Sequence, residues 1–573
     1  MKEVVHQADL CVVGGGLAGM SAAIAAARGG AKVVLIHDRP VLGGNASSEI
    51  RMWICGAHGE NNRETGIVEE IELENLYRNP APTYGIWDSV LYEKVRFQEN
   101  LTMLLNCSCC DLKMDGDRIE SVRGWQLTTQ TWHTVEAKLF ADCSGDSILA
   151  PLSGAQFRVG REAAGEFDED IQPKQADKKT MGMSCLIQAR EANSPQTYIP
   201  PSWAYKYPSE DDLPHRGHDH RSTNFWWIEL GGEQDSIHDT EEIRDELLKI
   251  AYGVWDHIKN YGDHGAENWI LDWVGFLPGK RESRRYVGDY ILTQNDVRFS
   301  GKFEDLVAYG GWTMDDHHPG GFNYPGQPTI FHPAPSPFGI PYRCLYSKNI
   351  SNLFFAGRNI SVTHAALSAT RVMATCATLG QAVGTAAAIA IREGLAPRGV
   401  YEEGIEELKQ TLMDDDCFIP WNRRSISKLT REATLTASHG EPEPLRNGLD
   451  RPIGDEDNGW RGEIGSWVEY AFDAPRKIRE LRLIFDSDLN RKVFNMPCNF
   501  PLDAEPYRVP NSLVRTFRIE VETLGQWQTL LRVENNYQRL VKLAVDLEAK
   551  AVRFVPEATW GAEDVHVFAW DLR

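Results

Sequence analysis

Apolar and polar positions along this chain follow two rhythms, one near 3.6 residues and one of two. Near the start, an apolar run from Leu10 to Val13 gives way to glycines, an alanine-rich stretch spans Met20 to Ala27, and a second apolar run covers Lys32 to Ile36. That order predicts strand, turn, helix and strand. Thr65 to Tyr77 and Asp88 to Asn100 carry helical periodicity with charged outer faces, and Leu101 to Leu105 reads as a strand. Short β segments follow around Leu112, at Ile119 to Leu127 and at Val135 to Phe140, with Asp115-Gly116-Asp117 as a turn, so a three-stranded meander is expected. A helix is expected near Glu241 to Tyr261, a strand over Asn352 to Ala356, and one long alanine-rich helix over Ser368 to Ile391, containing Gly380 and Gly384. From about Gly440 the rhythm shortens. Val468, Tyr470 and Phe472 alternate with polar or small neighbours, as do Leu481, Leu483 and Phe485, then Phe517, Ile519 and Val521, and finally Val565, Val567 and Ala569. Such alternation predicts a β-sandwich with one face of each strand buried.

The first turn carries chemistry. Gly14, Gly16 and Gly19 fit the G-x-G-x-x-G fingerprint, in which the glycines permit the tight turn, the close approach of a pyrophosphate and the close packing of helix on strand. With Leu17 and Ala18 they open the helix, whose free N–H groups and positive dipole end suit a diphosphate. A carboxylate usually follows the second strand to hold a ribose. Here that position is His37, with Asp38 and Arg39 next, so the ribose contact departs from the usual pattern.

Further on, Leu42-Gly43-Gly44-Asn45-Ala46-Ser47-Ser48-Glu49-Ile50-Arg51 and Cys55-Gly56-Ala57-His58-Gly59 resemble a bacterial family of FAD-dependent oxidoreductases with the glutathione-reductase type of FAD-binding fold. Leu139 to Asp146, ending in Ser144, Gly145 and Asp146, resembles the second cofactor strand and turn of that superfamily, and Asn352 to Arg358, ending in Gly357 and Arg358, resembles the third. The resemblance implies bound FAD lined by Gly44, Asn45, Ser47, Ser48 and Arg51, with Ser48, Arg51 and Cys55 near the flavin. It also implies that the alanine-rich helix directs its N-terminus at the flavin pyrimidine edge, where a positive dipole end favours reduced flavin. Arg281 to Arg285, Gly310 to His318 and Asn359 to His364 resemble recurrent segments of the same family.

The expected fold class is therefore α/β: a Rossmann-like FAD-binding domain over 1–160 and 343–398, an inserted α+β substrate domain over 161–342, a helical linker over 399–439, and a C-terminal β-sandwich of jelly-roll type over 440–573. The last segment, from Val552-Arg553-Phe554 through Trp560-Gly561 to Trp570-Asp571, resembles discoidin-like modules, many of which bind sugars. A purely structural sandwich is an equal alternative.

Length and charge narrow the reading. A chain of 573 residues is too long for one core, and three or four domains are expected. No apolar run approaches the roughly 18 residues of a membrane span. A net charge of -22 opposes binding to nucleic acid or an anionic membrane, and with it a tRNA-modifying role. The N-terminal residues carry no cleavable apolar leader, so a cytoplasmic protein is expected. Eleven cysteines leave at least one free thiol, and Cys107, Cys109 and Cys110 lack zinc or iron–sulfur spacing. They read as thiols of a strand, and no metal is expected.

For oxidation at an alcohol carbon, a base takes the hydroxyl proton while hydride leaves for the flavin, and a neutral imidazole suits that task. His364 is the first candidate, with His317 and His318 second; the alternatives for that pair are a surface loop or a metal site shared with Asp315 and Asp316. Arg284, Arg285 and Arg371 are candidates to bind substrate oxygens or a flavin carbonyl. The sequence has no second strand-G-x-G-x-x-G-helix unit and no Cys-x-x-x-x-Cys pair. Electrons must then leave to oxygen, a quinone or a partner protein, or return to the substrate. Three function classes follow: an FAD-dependent oxidoreductase accepting hydride from a polar small molecule, with carbohydrates and glycosides as candidates; a redox-neutral flavin-dependent lyase or glycosidase; and a carbohydrate-binding protein with structural FAD. The external acceptor is open, as is a homo-oligomeric state.

Overall fold

β1 (Lys2–Val13) runs parallel to β2 (Val33–Ile36) through the crossover helix α1 (Leu17–Arg28). The computed structural model describes residues 2–523 and 525–573. β1 is longer than its apolar run because β6 (Thr131–Asp142) pairs with it from Lys2↔Thr131 to Val13↔Asp142, and its first half is only partly buried. The sheet order is β3 (Leu101–Leu104), β2, β1, β6, β5 (Arg118–Gln126) and β4 (Cys107–Asp115). β4, β5 and β6 form the expected antiparallel meander. The end of β6 also takes the strand Leu353–Phe355 in parallel. The sheet is thus mixed: its parallel centre carries the glycine turns, and the meander extends it on one side. Cys107, Cys109 and Cys110 lie on β4, as thiols of a strand.

Two helices differ from the sequence expectation. The alanine-rich stretch is not one helix but two, His364–Thr370 and Met373–Glu393, broken where Val372 is extended (φ -65°, ψ 147°). Met373–Glu393 is long and apolar enough by composition to cross a bilayer, but 94% of its apolar window is buried inside the protein. It lies on α1, where a Cβ at Gly380 would fall 2.0 Å from the Ala18 carbonyl oxygen and one at Gly384 2.1 Å from that of Ala22. The two helix backbones therefore touch, which only glycine permits.

The chain divides into two compact units. The first comprises Met1–Ala57, Pro82–Leu408 and Phe494–Pro506. It includes α3 (Tyr84–Arg96), the helix Thr240–Asn260 and a set of short antiparallel ladders, and residues 161–342 fall within it. Residues 494–506 belong with it because Phe500 and Asn499 bond the backbone of Ala189. The second unit comprises His58–Ala81, Lys409–Val493 and Tyr507–Arg573. It claims α2 (Ile67–Arg78), a helix expected in the FAD-binding part, through the buried Glu69, whose carboxylate is paired with Arg491. The rest of it is an antiparallel sheet whose long strands Val468–Phe485 and Leu540–Thr559 pair in blocks separated by bulges, so they bend around one core. That core contains Tyr470, Phe485 and Phe517, on the faces the alternation pointed to, together with Phe554 and Trp570, whereas Ala569 lies in a separate small cluster with Ile484 and Phe568 because a bulge shifts the register of the last strand.

Candidate functional site

Three glycine turns meet at the end of the parallel strands. Gly14 has φ +106°, and a Cβ on it would lie 2.4 Å from the Cys143 carbonyl oxygen; one on Gly19 would lie 1.8 Å from that of Gly14. Gly145 has φ +75°, and a Cβ there would fall 2.6 Å from Arg358 Nη1, while Gly357 meets Ala18. Gly43 and Gly44 cross over Gly16, with Gly16 and Gly43 forming a parallel bridge. Gly16 caps α1 without any side-chain hydrogen bond, and no acidic residue occupies the first turn, so the positive end of this helix is not neutralised from within. The Gly14–Gly19, Gly43–Asn45, Cys143–Asp146 and Gly357–Arg358 segments thus form one cradle.

His37 is tied to the glycine turn itself. Its ring is buried, Nδ1 accepts from the Gly15 N–H at 3.0 Å, and Nε2 donates to the Val41 carbonyl at 3.0 Å. Burial lowers its pKa against the pull of Asp38, so it is a neutral clamp on the glycine turn. Asp38 is exposed beyond β2, and Arg39 Nη1 is buried without a hydrogen-bond partner among the described residues. In the following loop, Asn45 Nδ2 donates to the Lys280 carbonyl at 3.1 Å, the Ser47 hydroxyl accepts from Glu49 N–H, and the Ser48 N–H donates to Asp88. Arg51, expected near the flavin, donates Nη1 to Gln188 at 2.6 Å and lies between the rings of Tyr84 and Trp273. The Cys55 carbonyl accepts from the Ala374 N–H in the first turn of Met373–Glu393. That helix has no side-chain cap, whereas the shorter His364–Thr370 is closed by Thr363 and by Glu162, which accepts from the His364 N–H at 2.9 Å.

Asp146 joins the cradle to the rest of the site. Its Oδ1 accepts from Arg358 at 2.7 Å and from the Ser283 hydroxyl at 2.8 Å, and its Oδ2 from Lys280 at 2.9 Å. Burial would raise its pKa, but Arg358 and Lys280 outweigh it and hold the carboxylate far below its ordinary range. From Lys280 the chain runs through Arg281 and Glu282 to Arg285, and each of these reaches a histidine–carboxylate cluster.

In the first cluster His364 lies between two acids: Nδ1 is 2.8 Å from Glu282 Oε2 and Nε2 is 3.2 Å from Asp316 Oδ1. Burial alone would lower its pKa, yet Glu282 and Asp316 raise it to about 10. Both ring nitrogens of His364 are thus committed to carboxylates, which favours the imidazolium where the sequence reading expected a neutral base. Arg285, fully buried, is consumed by Glu282, Glu162 at 2.7 Å, and the carbonyls of Gly160 and Val362, so it is closed to substrate. In the second cluster His317 lies between Glu229 (2.6 Å) and Asp315 (3.2 Å), with Arg281 3.4 Å from Glu229 and Arg371 3.0 Å from Asp315. Both histidines are almost fully buried. Asp316 is the open member, with 20% of its side chain exposed against 0% for Glu282, 1% for Glu229 and 10% for Asp315.

His318 is elsewhere: it stacks on Tyr324 at 3.6 Å and accepts from the Gly320 N–H, so the surface-loop alternative describes it. Arg284 bonds the Asp146 carbonyl at 3.4 Å and lies near the Phe157 ring. Sequence reasoning missed Glu162, Glu229 and Lys280. Glu229 left a trace, an acid between Ile228 and Leu230 in an otherwise apolar run.

Glycine turns that converge on an uncapped helix, joined through a buried aspartate to paired imidazoles and carboxylates, define a dinucleotide-dependent oxidoreductase. A family model described as FAD dependent oxidoreductase matches residues 9–412, and the chain belongs to that family. FAD is thus its cofactor, and the residues fit it: the cradle is one that side chains would fill, and Arg358 Nε and Arg371 Nε are buried with no hydrogen-bond partner among the described residues. No curated protein matches the chain. Among solved structures, it is similar to the family 32 carbohydrate-binding module of Streptococcus pneumoniae EndoD, at 14% identity over 26% of this chain and 99% of that one, with a TM-score of 0.20. It is also similar to the family 32 module of C. perfringens NanJ in complex with galactose (10% identity, 25% and 95% covered, TM-score 0.18). A third match is chitosan-binding module 1 of a chitosanase/glucanase from Paenibacillus sp. IK-5 (12% identity, 26% and 98% covered, TM-score 0.19).

Proposed function

We propose that the protein oxidises a hydroxyl-bearing polar small molecule, with carbohydrates and glycosides as the class to test first, and that Asp316 is the group that takes the hydroxyl proton. Bound FAD supplies the two-electron acceptor for the departing hydride. Asp316 Oδ1 is engaged by the His364 imidazolium, which leaves Oδ2 to accept from a substrate hydroxyl. The His364 cation keeps Asp316 ionised, with its pKa lowered against burial. A carboxylate this weakly basic still suffices, because the hydroxyl becomes strongly acidic as its carbon loses hydride. Arg371 is held at Nη2 by Asp315, and the exposed part of its guanidinium is offered to a second substrate oxygen. His317, closed between Glu229 and Asp315, positions Asp315 and through it Arg371. A binding surface of this kind suits a substrate with several hydroxyl groups rather than an apolar one. The meander β4–β6 beside the parallel strands supports the glutathione-reductase type of cofactor fold.

The observation that carries this reading is the one open carboxylate in a buried histidine–carboxylate cluster tied by Lys280–Arg285 to the cofactor cradle. Anaerobic mixing with sugars, glycosides, hydroxy acids and amino acids should bleach the flavin with one class. Asp316→Asn should retain FAD and slow that bleaching by about 10²–10⁴-fold, the usual worth of a general base. Bleaching of the variant at the wild-type rate would remove Asp316 from the role. Product formation with flavin oxidised throughout, and no acceptor added, would instead establish the redox-neutral reading.

A further inference from the structure

Away from the cofactor, three histidines and a glutamate converge in the first unit. Glu210 opens a short 3-10 turn (Glu210–Asp212), His218 follows in the same loop, His257 lies in the last turn of the helix Thr240–Asn260, and His264 lies just beyond that helix. The ring centroids of the three histidines are 4.7, 4.9 and 5.1 Å apart. Glu210 Oε1 is 3.3 Å from both His257 Nε2 and His264 Nε2, and Oε2 is 3.2 Å from His218 Nδ1. One donor atom from each of the four residues lies within 4.8 Å of the others.

A hydrogen-bonded cluster explains this poorly. One carboxylate serves three rings, His218 Nε2 is buried without a hydrogen-bond partner among the described residues, and the 3.3 Å approach of His264 Nε2 to Glu210 lacks hydrogen-bond geometry. His257, by contrast, is oriented as a metal ligand is: its Nδ1–H donates to the Tyr207 carbonyl at 2.6 Å, which fixes the tautomer and leaves the Nε2 lone pair facing Glu210. Bonds of about 2.0–2.1 Å to a tetrahedral ion place neighbouring ligand atoms about 3.4 Å apart. The two separations from Glu210 Oε1, 3.3 Å to His257 Nε2 and to His264 Nε2, fall on that edge length. Three imidazole nitrogens and a carboxylate oxygen fill four positions, a donor set that suits zinc rather than calcium or magnesium.

The geometry points to a structural zinc(II) site formed by Glu210, His218, His257 and His264, which staples the loop 209–224 to the helix Thr240–Asn260. The staple has a consequence for neighbouring segments. Arg216, between the two loop ligands, donates to the carbonyls of Gly321, Tyr324 and Gly326 at 3.1, 2.9 and 2.9 Å, so the ion would fix the turn that follows His317 and His318.

The test is metal analysis of the full-length, FAD-loaded protein after dialysis against chelator and readdition of zinc alone. The expected result is about one zinc per chain, and with cobalt(II) in its place the intense long-wavelength bands of tetrahedral coordination, beyond the flavin absorbance. His218→Ala should abolish stoichiometric binding, and Glu210→Gln, at an exposed side chain, should weaken it by at least about tenfold, both with flavin content and circular dichroism unchanged. Limited proteolysis within 209–224 should be faster without zinc. Zinc content no higher than that of the His218→Ala/His264→Ala double variant, or a weak octahedral cobalt spectrum, would overturn the assignment.

Discussion

Replacing Gly380 by alanine tests whether the position of α1 holds the cofactor. The new Cβ would start 2.0 Å from the Ala18 carbonyl oxygen. An ordinary carbon–oxygen contact needs about 3.3 Å, so the two helices must separate by more than 1 Å at that level, or α1 must slide. Overpacking of this kind costs about 1–3 kcal/mol, and the gain in helix propensity on replacing glycine returns about 1 kcal/mol, leaving a net loss of up to about 2 kcal/mol. Gly384→Ala makes the same clash, 2.1 Å from the Ala22 carbonyl oxygen, one turn farther along α1. The two variants should therefore be destabilised alike. They should differ in cofactor binding, because Ala18 sits in the first turn, whose N–H groups face the cradle, and Ala22 does not. Fluorescence titration of apoprotein with FAD should show the dissociation constant raised about tenfold or more in Gly380→Ala, the equivalent of roughly 1.4 kcal/mol, and by no more than about twofold in Gly384→Ala. Equal weakening in both would refute the reasoning, since the cradle would then respond to general loosening and not to the placement of its first turn.

Two charge substitutions follow from the buried ion pairs. His364 titrates near 10 in the folded chain against 6.5 when free, so its stabilising charge is complete below pH 6.5 and is lost as pH rises toward 10; this corresponds to about 5 kcal/mol as an upper figure. Denaturation midpoints of wild type and His364→Gln should lie far apart at pH 6 and draw together toward pH 10, and a gap independent of pH would show that the ring is neutral. Glu69 behaves oppositely: burial raises its pKa, but Arg491 and Arg63 bring it down to about 2, so its contribution is complete above pH 4.5 and disappears as pH falls toward 2. Glu69→Gln should cost about 3 kcal/mol at neutral pH and almost nothing at pH 2. Acid unfolding curves that stay parallel from pH 5 to 2 would contradict that pairing.

What the sequence disclosed and what it hid differ in physical origin. Gly14 and Gly19 were legible because the neighbouring backbone leaves room for no other residue, and Gly145 because its φ of +75° favours glycine, so geometry is written directly into residue type. The meander and the alternating strands were legible because burial on one face imposes period two. Helix limits were less so. The break at Arg371 and Val372 has no proline or glycine to announce it, and α2 looks like any amphipathic helix until Glu69 finds Arg491 far along the chain.

The surroundings of His364 were hidden for a related reason. An isolated histidine titrates near neutrality, and His364 was assigned accordingly. Its state is set by Glu282 and Asp316, which the fold brings from distant segments, and two carboxylates around a dry ring favour the cation whatever the local sequence. Geometry decides between the two histidine clusters. Each sets both ring nitrogens against acids, so neither ring has a nitrogen open to substrate, and reactivity must pass to whichever carboxylate keeps an oxygen open. Asp316 does, and Asp315 does not, because Thr329 accounts for one of its oxygens and His317 and Arg371 for the other. In a site built from buried ion pairs, the proton acceptor is therefore identified by which partner is left unsatisfied rather than by which side chain has the most convenient intrinsic pKa.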